Sequence, residues 1–112
     1  MKRLALAILV LVVVLGAGPG HAQEPVVAVI EDRAAAHGVS GSYLVRVARC
    51  ESNLDPRAVG AAGEQGLFQL HARGLRPLFF QWGYADPFNA WESADFAARA
   101  FAAGLSRHWS CA

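Results

Sequence analysis

Lysine occurs once, as Lys2, and only 17% of the residues carry a charge. Ten basic side chains face nine acidic ones, so no field of one sign exists to hold a nucleic-acid backbone. Cysteine is confined to Cys50 and Cys111. With no paired Cys/His spacing around them, a zinc site is excluded, and no other metal or cofactor is implied. No segment alternates apolar and polar residues over strand length, which argues against a sheet. No internal repeat or long low-complexity stretch is present, so a solenoid is excluded. The longest apolar run, residues 4–15, has about 12 residues where a membrane span needs roughly 20.

That run has a different meaning. Met1-Lys2-Arg3 is a short basic end, and residues 16–22 supply small residues and a turn, with Gly20 and Ala22 at the −3 and −1 positions of a cleavage site. Residues 1–22 therefore read as a signal peptide, and the protein as secreted, periplasmic or cell-wall associated, with no stable membrane insertion once the segment is removed. Removal takes the one lysine with it and leaves arginines against slightly more acids. The remaining domain of about 90 residues has room for a modest core only. Small domains of this kind are commonly stapled, and export places the two cysteines in an oxidising compartment. A Cys50–Cys111 disulfide is expected. It would tie the residues around 111 to the neighbour of Glu51.

The remaining pattern is helical. Residues 23–25 read as a tail and 26–37 as a first helix, with Gly38 as its stop. Ser40 or Ser42 can cap a second helix running to Glu51, which Pro56 prevents from continuing. Residues 57–66 form a glycine- and alanine-rich loop, with a rudimentary hairpin as an option. Residues 67–71 and 76–82 read as short helical pieces. Asn89 and Glu92 have the form of a capping box, opening a last helix over residues 90–108. The organisation is thus a signal segment (1–22), a tail and first helix (23–38), and a mainly α domain (39–112).

One acid stands out. Leu44, Val47, Ala48 and Glu51 share a helix face, with Arg46 and Arg49 on the opposite side. Packing that face carries Glu51 to the rim of the core. Desolvation and the negative end of the helix dipole both disfavour the carboxylate and raise its pKa. A glutamic acid held protonated can serve as a general acid toward a leaving oxygen. The competing reading is an acid paired with an arginine at a helix end.

The run Glu51-Ser52, Pro56, Gly63, Gly66-Leu67-Phe68-Gln69-Leu70, with Asp86-Pro87, Asn89 and Phe96 following in order, resembles the transglycosylase domain of soluble lytic transglycosylases. These belong to the lysozyme-like superfamily. The likeness spans about residues 39–112. It implies a small lysozyme-like fold and cleavage of the β-1,4 bond between N-acetylmuramic acid and N-acetylglucosamine in peptidoglycan. It makes Glu51 the single catalytic acid/base, with the sugar's own 6-hydroxyl as nucleophile in place of a second carboxylate. A water-using muramidase and a non-catalytic peptidoglycan-binding module of the same fold are the alternatives. Ser52 and Gln69 match positions lining the family's cleft; Gly66 of the same loop and Phe96, which stands where the family usually has a tyrosine, are also expected to bind substrate. Glu64 and residues 70–73 also depart from the family pattern.

Other residues have two readings each. Gly63 and Gly66 allow close approach of an acetamido group or simply a positive φ. Gln69 either hydrogen-bonds sugar or satisfies buried backbone. Phe79, Phe80, Trp82 and Tyr84 divide between core and sugar stacking, with Trp82 and Tyr84 the expected groove residues. His71 reads as a surface or core residue, and Glu64 is the one plausible second carboxylate. A monomer acting on peptidoglycan strands, with no nucleic-acid partner, is expected.

Overall fold

The computed structural model describes residues 23–112; the expected signal segment lies outside them. Helix α1 spans Glu24–Ala36, α2 Gly41–Ser52, α3 Leu75–Gln81 and α4 Ala90–Ala102, followed by a 3-10 turn over Ser106–His108. The domain is mainly α. Among the described residues the β content is two isolated bridges, Val59 with Gln65 and Gln65 with Leu70, at the rudimentary hairpin. No helix among them is long and apolar enough to cross a membrane.

Helix ends follow local chemistry. The expected tail is already helical, because Pro25 fits a first turn whose N–H groups need no partner. Gly38 at φ +73° stops α1, and Val39 N–H closes the turn onto Ala34 O at 2.9 Å. Ser40 caps α2 by accepting from Tyr43 N–H at 3.3 Å. What ends α2 is not Pro56 but Asn53, left-handed at φ 55°, followed by Leu54 at φ 62°. Asparagine tolerates this region and leucine does not. Leu54 stays there because its side chain is buried in the core.

Two further expectations are corrected. Asn89 accepts from Glu92 N–H at 2.9 Å, but Glu92 turns away and accepts from Ala85 N–H at 2.6 Å, so only half of the capping box forms. Helix α4 stops at Ala102 instead of reaching residue 108. Gly104 at φ +83° reverses the chain and lets Leu105 N–H reach back to Ala100 O at 3.0 Å.

Helix α1 packs against both α2 and α4, with Ile30 and Ala34 fully enclosed. The small residues Ala94, Ala97, Ala98 and Ala100 give α4 a face that helices can approach closely. An aromatic cluster fills the other side. Phe96 sits 5.3 Å from the Phe79 ring and 6.4 Å from Trp109 (centroid to centroid), and Trp109 Nε1–H donates to Phe68 O at 2.8 Å.

Two links close the structure. Cys50 and Cys111 form the expected disulfide, with a Cα separation of 6.0 Å and a sequence separation of 61. Asp95, on α4, collects three partners at the α1 boundary. Tyr84 Oη donates to Oδ2 at 2.6 Å, Arg33 Nη1 donates to Oδ1 at 3.1 Å, and His37 Nε2 lies 2.8 Å from Oδ1. Burial pushes the Asp95 pKa up, and the bonds from Tyr84, His37 and Arg33 together outweigh it, so the carboxyl is held below the usual aspartate range.

Removing the disulfide, as Cys50→Ser with Cys111→Ser, should lower unfolding free energy by up to roughly 4 kcal/mol, the loop-closure entropy for a span of this length. Urea denaturation of both forms measures it. Because folding lowers the Asp95 pKa, its contribution is complete above the unfolded value of about 4 and is lost as pH falls through the lower folded value. Asp95→Asn should therefore lower the thermal midpoint at neutral pH and flatten its fall below about pH 4. A parallel acid profile in mutant and wild type would contradict this.

Candidate active site

The floor of the site is the end of α2. Leu44, Val47 and Ala48 are fully buried, and Glu51, next on the same stripe, is half-buried in the last turn. Burial pushes the Glu51 carboxyl pKa up. The Cys111 N–H, donating to Oε2 at 3.3 Å, opposes this, as do the charge of His71 and, least, the Ser110 side chain; the nearby Glu64 carboxylate adds to the upward shift. The net direction is up. Among the described residues no arginine pairs with Glu51, so the pairing expected of a merely structural acid is missing here. Ser52, beside it, donates its hydroxyl proton to Ala48 O at 3.0 Å.

The wall facing Glu51's neighbours is the loop before α3. Residues 67–70 form a turn and not the start of a helix, closed by Leu70 N–H on Gln65 O at 2.9 Å and Gln65 N–H on Leu70 O at 3.2 Å. Gly66 is required twice over. Its φ is +84°, and a Cβ there would lie 2.1 Å from Pro87 O. The glycine thus lets the loop pack on the 86–88 turn. Gln69, left-handed at φ 49°, donates to Ala58 O at 3.2 Å and to Gly66 O at 3.0 Å. Both amide protons are used on backbone, which is the structural one of its two readings.

Arg76 was not visible as a site residue in the sequence. From α3 its guanidinium donates to Gly63 O at 2.6 Å and to Leu70 O at 3.0 Å, clamping both ends of the glycine loop. The acid of that loop, Glu64, accepts from Ala62 N–H at 2.7 Å. Bonds from its own backbone N–H and that of Ala62 hold its pKa below the usual range. His71 Nε2 lies 3.8 Å from Glu64 Oε2. His71 is exposed and also borders a cavity of about 70 Å³ with Leu70, Leu75, His108 and Trp109. His71 thus lies between Glu64 and this cavity, and both His71 and Glu64 act on Glu51 through charge.

The aromatic residues expected at the groove are largely committed elsewhere. Phe96 has no exposed surface, so its expected substrate contact is corrected to a core role; its position on the buried face of α4 decides this. Trp82 is half-buried, 5.3 Å from Phe96 on one side and covered by the Arg99 guanidinium at 4.1 Å. Tyr84 stacks on Phe79 at 5.1 Å and gives its hydroxyl proton to Asp95. Phe80 and Trp91 are instead the exposed rings. The contribution of Ser110 and of the Cys111 backbone had one sequence signal: a Cys50–Cys111 bond necessarily brings residue 111 to the neighbour of Glu51.

The raised pKa has a thermodynamic consequence. A carboxyl more easily protonated in the folded state stabilises the fold below its unfolded pKa and loses that contribution as pH rises through the folded value. Glu51→Gln should therefore unfold at a higher urea midpoint than wild type at pH 7, with the gain vanishing below about pH 4. A gain that is the same at both pH values would contradict the burial account.

A family model described as "Transglycosylase SLT domain" matches residues 28–108, beginning inside α1 and ending at the 3-10 turn. Comparisons with curated proteins and with solved structures each returned no match. The matched segment covers most of the chain and includes the α2 end, the glycine loop and all of α4. The chain belongs to the transglycosylase SLT domain family, whose fold is lysozyme-like.

Proposed function

We propose that the protein is an exported peptidoglycan lytic transglycosylase that cleaves the β-1,4 bond between N-acetylmuramic acid and N-acetylglucosamine, with Glu51 as its one general acid/base. The observation that carries this reading is the half-buried Glu51 carboxyl, with no arginine partner among the described residues and pushed toward its protonated form, in a chain of the SLT family. Export rests on the basic end and apolar run of residues 1–22, and a disulfide suits an oxidising compartment.

Glu51 first gives its proton to the glycosidic oxygen as the C1–O bond breaks, releasing the N-acetylglucosamine hydroxyl. The resulting carboxylate then takes the proton of the muramic acid 6-hydroxyl as that oxygen bonds to C1. The 1,6-anhydro ring closes and Glu51 regains its proton. Such a cycle needs no second carboxylate and no water. Ser52, Gly66 and Gln69 support the cleft through the bonds they make to backbone.

One observation favours hydrolysis as the second reading. Glu64 is held ionised and lies near enough to act on the Glu51 charge, and an ionised carboxylate beside an acid is suited to orienting water. Mass spectrometry of products from purified sacculi separates the outcomes. Anhydro-muropeptides are expected, reducing ends would establish a muramidase, and binding without soluble products would establish a binding module. Glu51→Gln should keep its circular dichroism spectrum and lose about 10²-fold or more of the release rate, as for removal of a general acid. Retention of most of the activity would remove Glu51 from the mechanism.

A further inference from the structure

Few groups fix the direction of the Glu51 carboxyl. From its own helix there is no donor, since the Ser52 hydroxyl is turned back onto Ala48 O at 3.0 Å. From the glycine loop, Glu64 and His71 act on it through charge. Among the described residues the hydrogen-bond donor comes from the segment after the 3-10 turn, Cys111 N–H on Oε2 at 3.3 Å; the neighbouring Ser110 side chain also favours the charged form. That segment is delivered by the disulfide, because Cys50 precedes Glu51 and is bonded to Cys111. Trp109 just before it is anchored independently, buried and donating to Phe68 O at 2.8 Å. The fold thus holds the chain as far as Trp109, and the covalent bond carries the next two residues to the acid.

We infer that Ser110 and the Cys111 backbone, held by the Cys50–Cys111 disulfide, are the positioning element of Glu51, keeping Oε2 as a hydrogen-bond acceptor and so placing the acid's proton on Oε1. A backbone N–H already aimed at Oε2 makes protonation of that oxygen unfavourable, and the free oxygen is left to carry the transferable proton. Three rotatable bonds of Glu51 are restrained at the same time, which is orientation supplied before substrate binds. The disulfide then has two separable roles, one on the unfolded chain and one on the acid.

This inference rests on the reading of Glu51 as general acid, and the test separates the two. Ser110→Ala keeps the disulfide, and Cys50→Ser with Cys111→Ser removes the tether while retaining the residue 111 amide. For wild type and both variants, kcat and KM for muropeptide release are measured against pH, and the Glu51 carboxyl carbon is titrated by ¹³C NMR. Donors to a carboxylate favour its charged form, so their loss moves the Glu51 midpoint and the alkaline limb of kcat upward together. About a threefold change in the proton-binding constant is expected for Ser110→Ala and about tenfold for the double variant, with kcat falling, KM steady and Ser110→Thr restoring wild-type behaviour. Unmoved midpoints and pH limbs in both variants, with only the melting temperature lowered in the double variant, would overturn the inference. Shifted midpoints in a wild type and variants that all release nothing would uphold the positioning and sink the acid's catalytic assignment.

Discussion

The covalent bond between Cys50 and Cys111 joins the last turn of α2 to the chain beyond α4, and the site depends on that junction. Without it, the half-buried carboxyl of Glu51 would sit at the end of a packed helix with its N–H donor free to leave. With it, burial and hydrogen bonding act on the same group in opposite directions. Burial is the larger effect, so the acid stays more protonated than an exposed glutamate while its orientation is still restrained. That balance of a disfavoured charge and a fixed direction is what proton donation to a leaving oxygen requires.

The rest of the molecule holds the two sides of this junction in place. Small side chains let α4 approach α1, and the Asp95 cluster joins α4 to Arg33 of α1, to His37 just after it and to Tyr84 beyond α3. The aromatic cluster around Phe96 and Trp109 supports the chain on its way to Cys111. On the opposite wall, Arg76 clamps the glycine loop at Gly63 and Leu70. Gly66 lets that loop lie against Pro87 with no room for a side chain.

Local signals were legible where the cause lies within a few residues. Ser40 and Asn89 cap the helices they precede, and Gly38 ends α1 by taking a conformation that costs other residues energy. The reading of Glu51 as the rim of an apolar face survives because helical phase is a geometric constant. Longer-range events were less legible. Glu92 completes no capping box because Ala85 N–H competes for its carboxylate, and α4 ends early because Gly104 lets the chain turn back over the core. Gln69 and Phe96 follow the same rule. One is consumed by carbonyls of a loop whose path depends on Pro87, and the other faces inward on α4.

The sequence by itself determined the α-rich class, the disulfide partners and the acid at the end of an apolar stripe. Each depends on composition, on there being two cysteines, or on a fixed helical repeat. Only the tertiary structure decided which groups surround that acid. Cys111 N–H, Ser110, His71 and Glu64 come from segments far apart in the chain, and their meeting depends on how three helices and a loop pack. Hydrogen bonds and burial are properties of that packing, so the protonation of Glu51 is decided there as well.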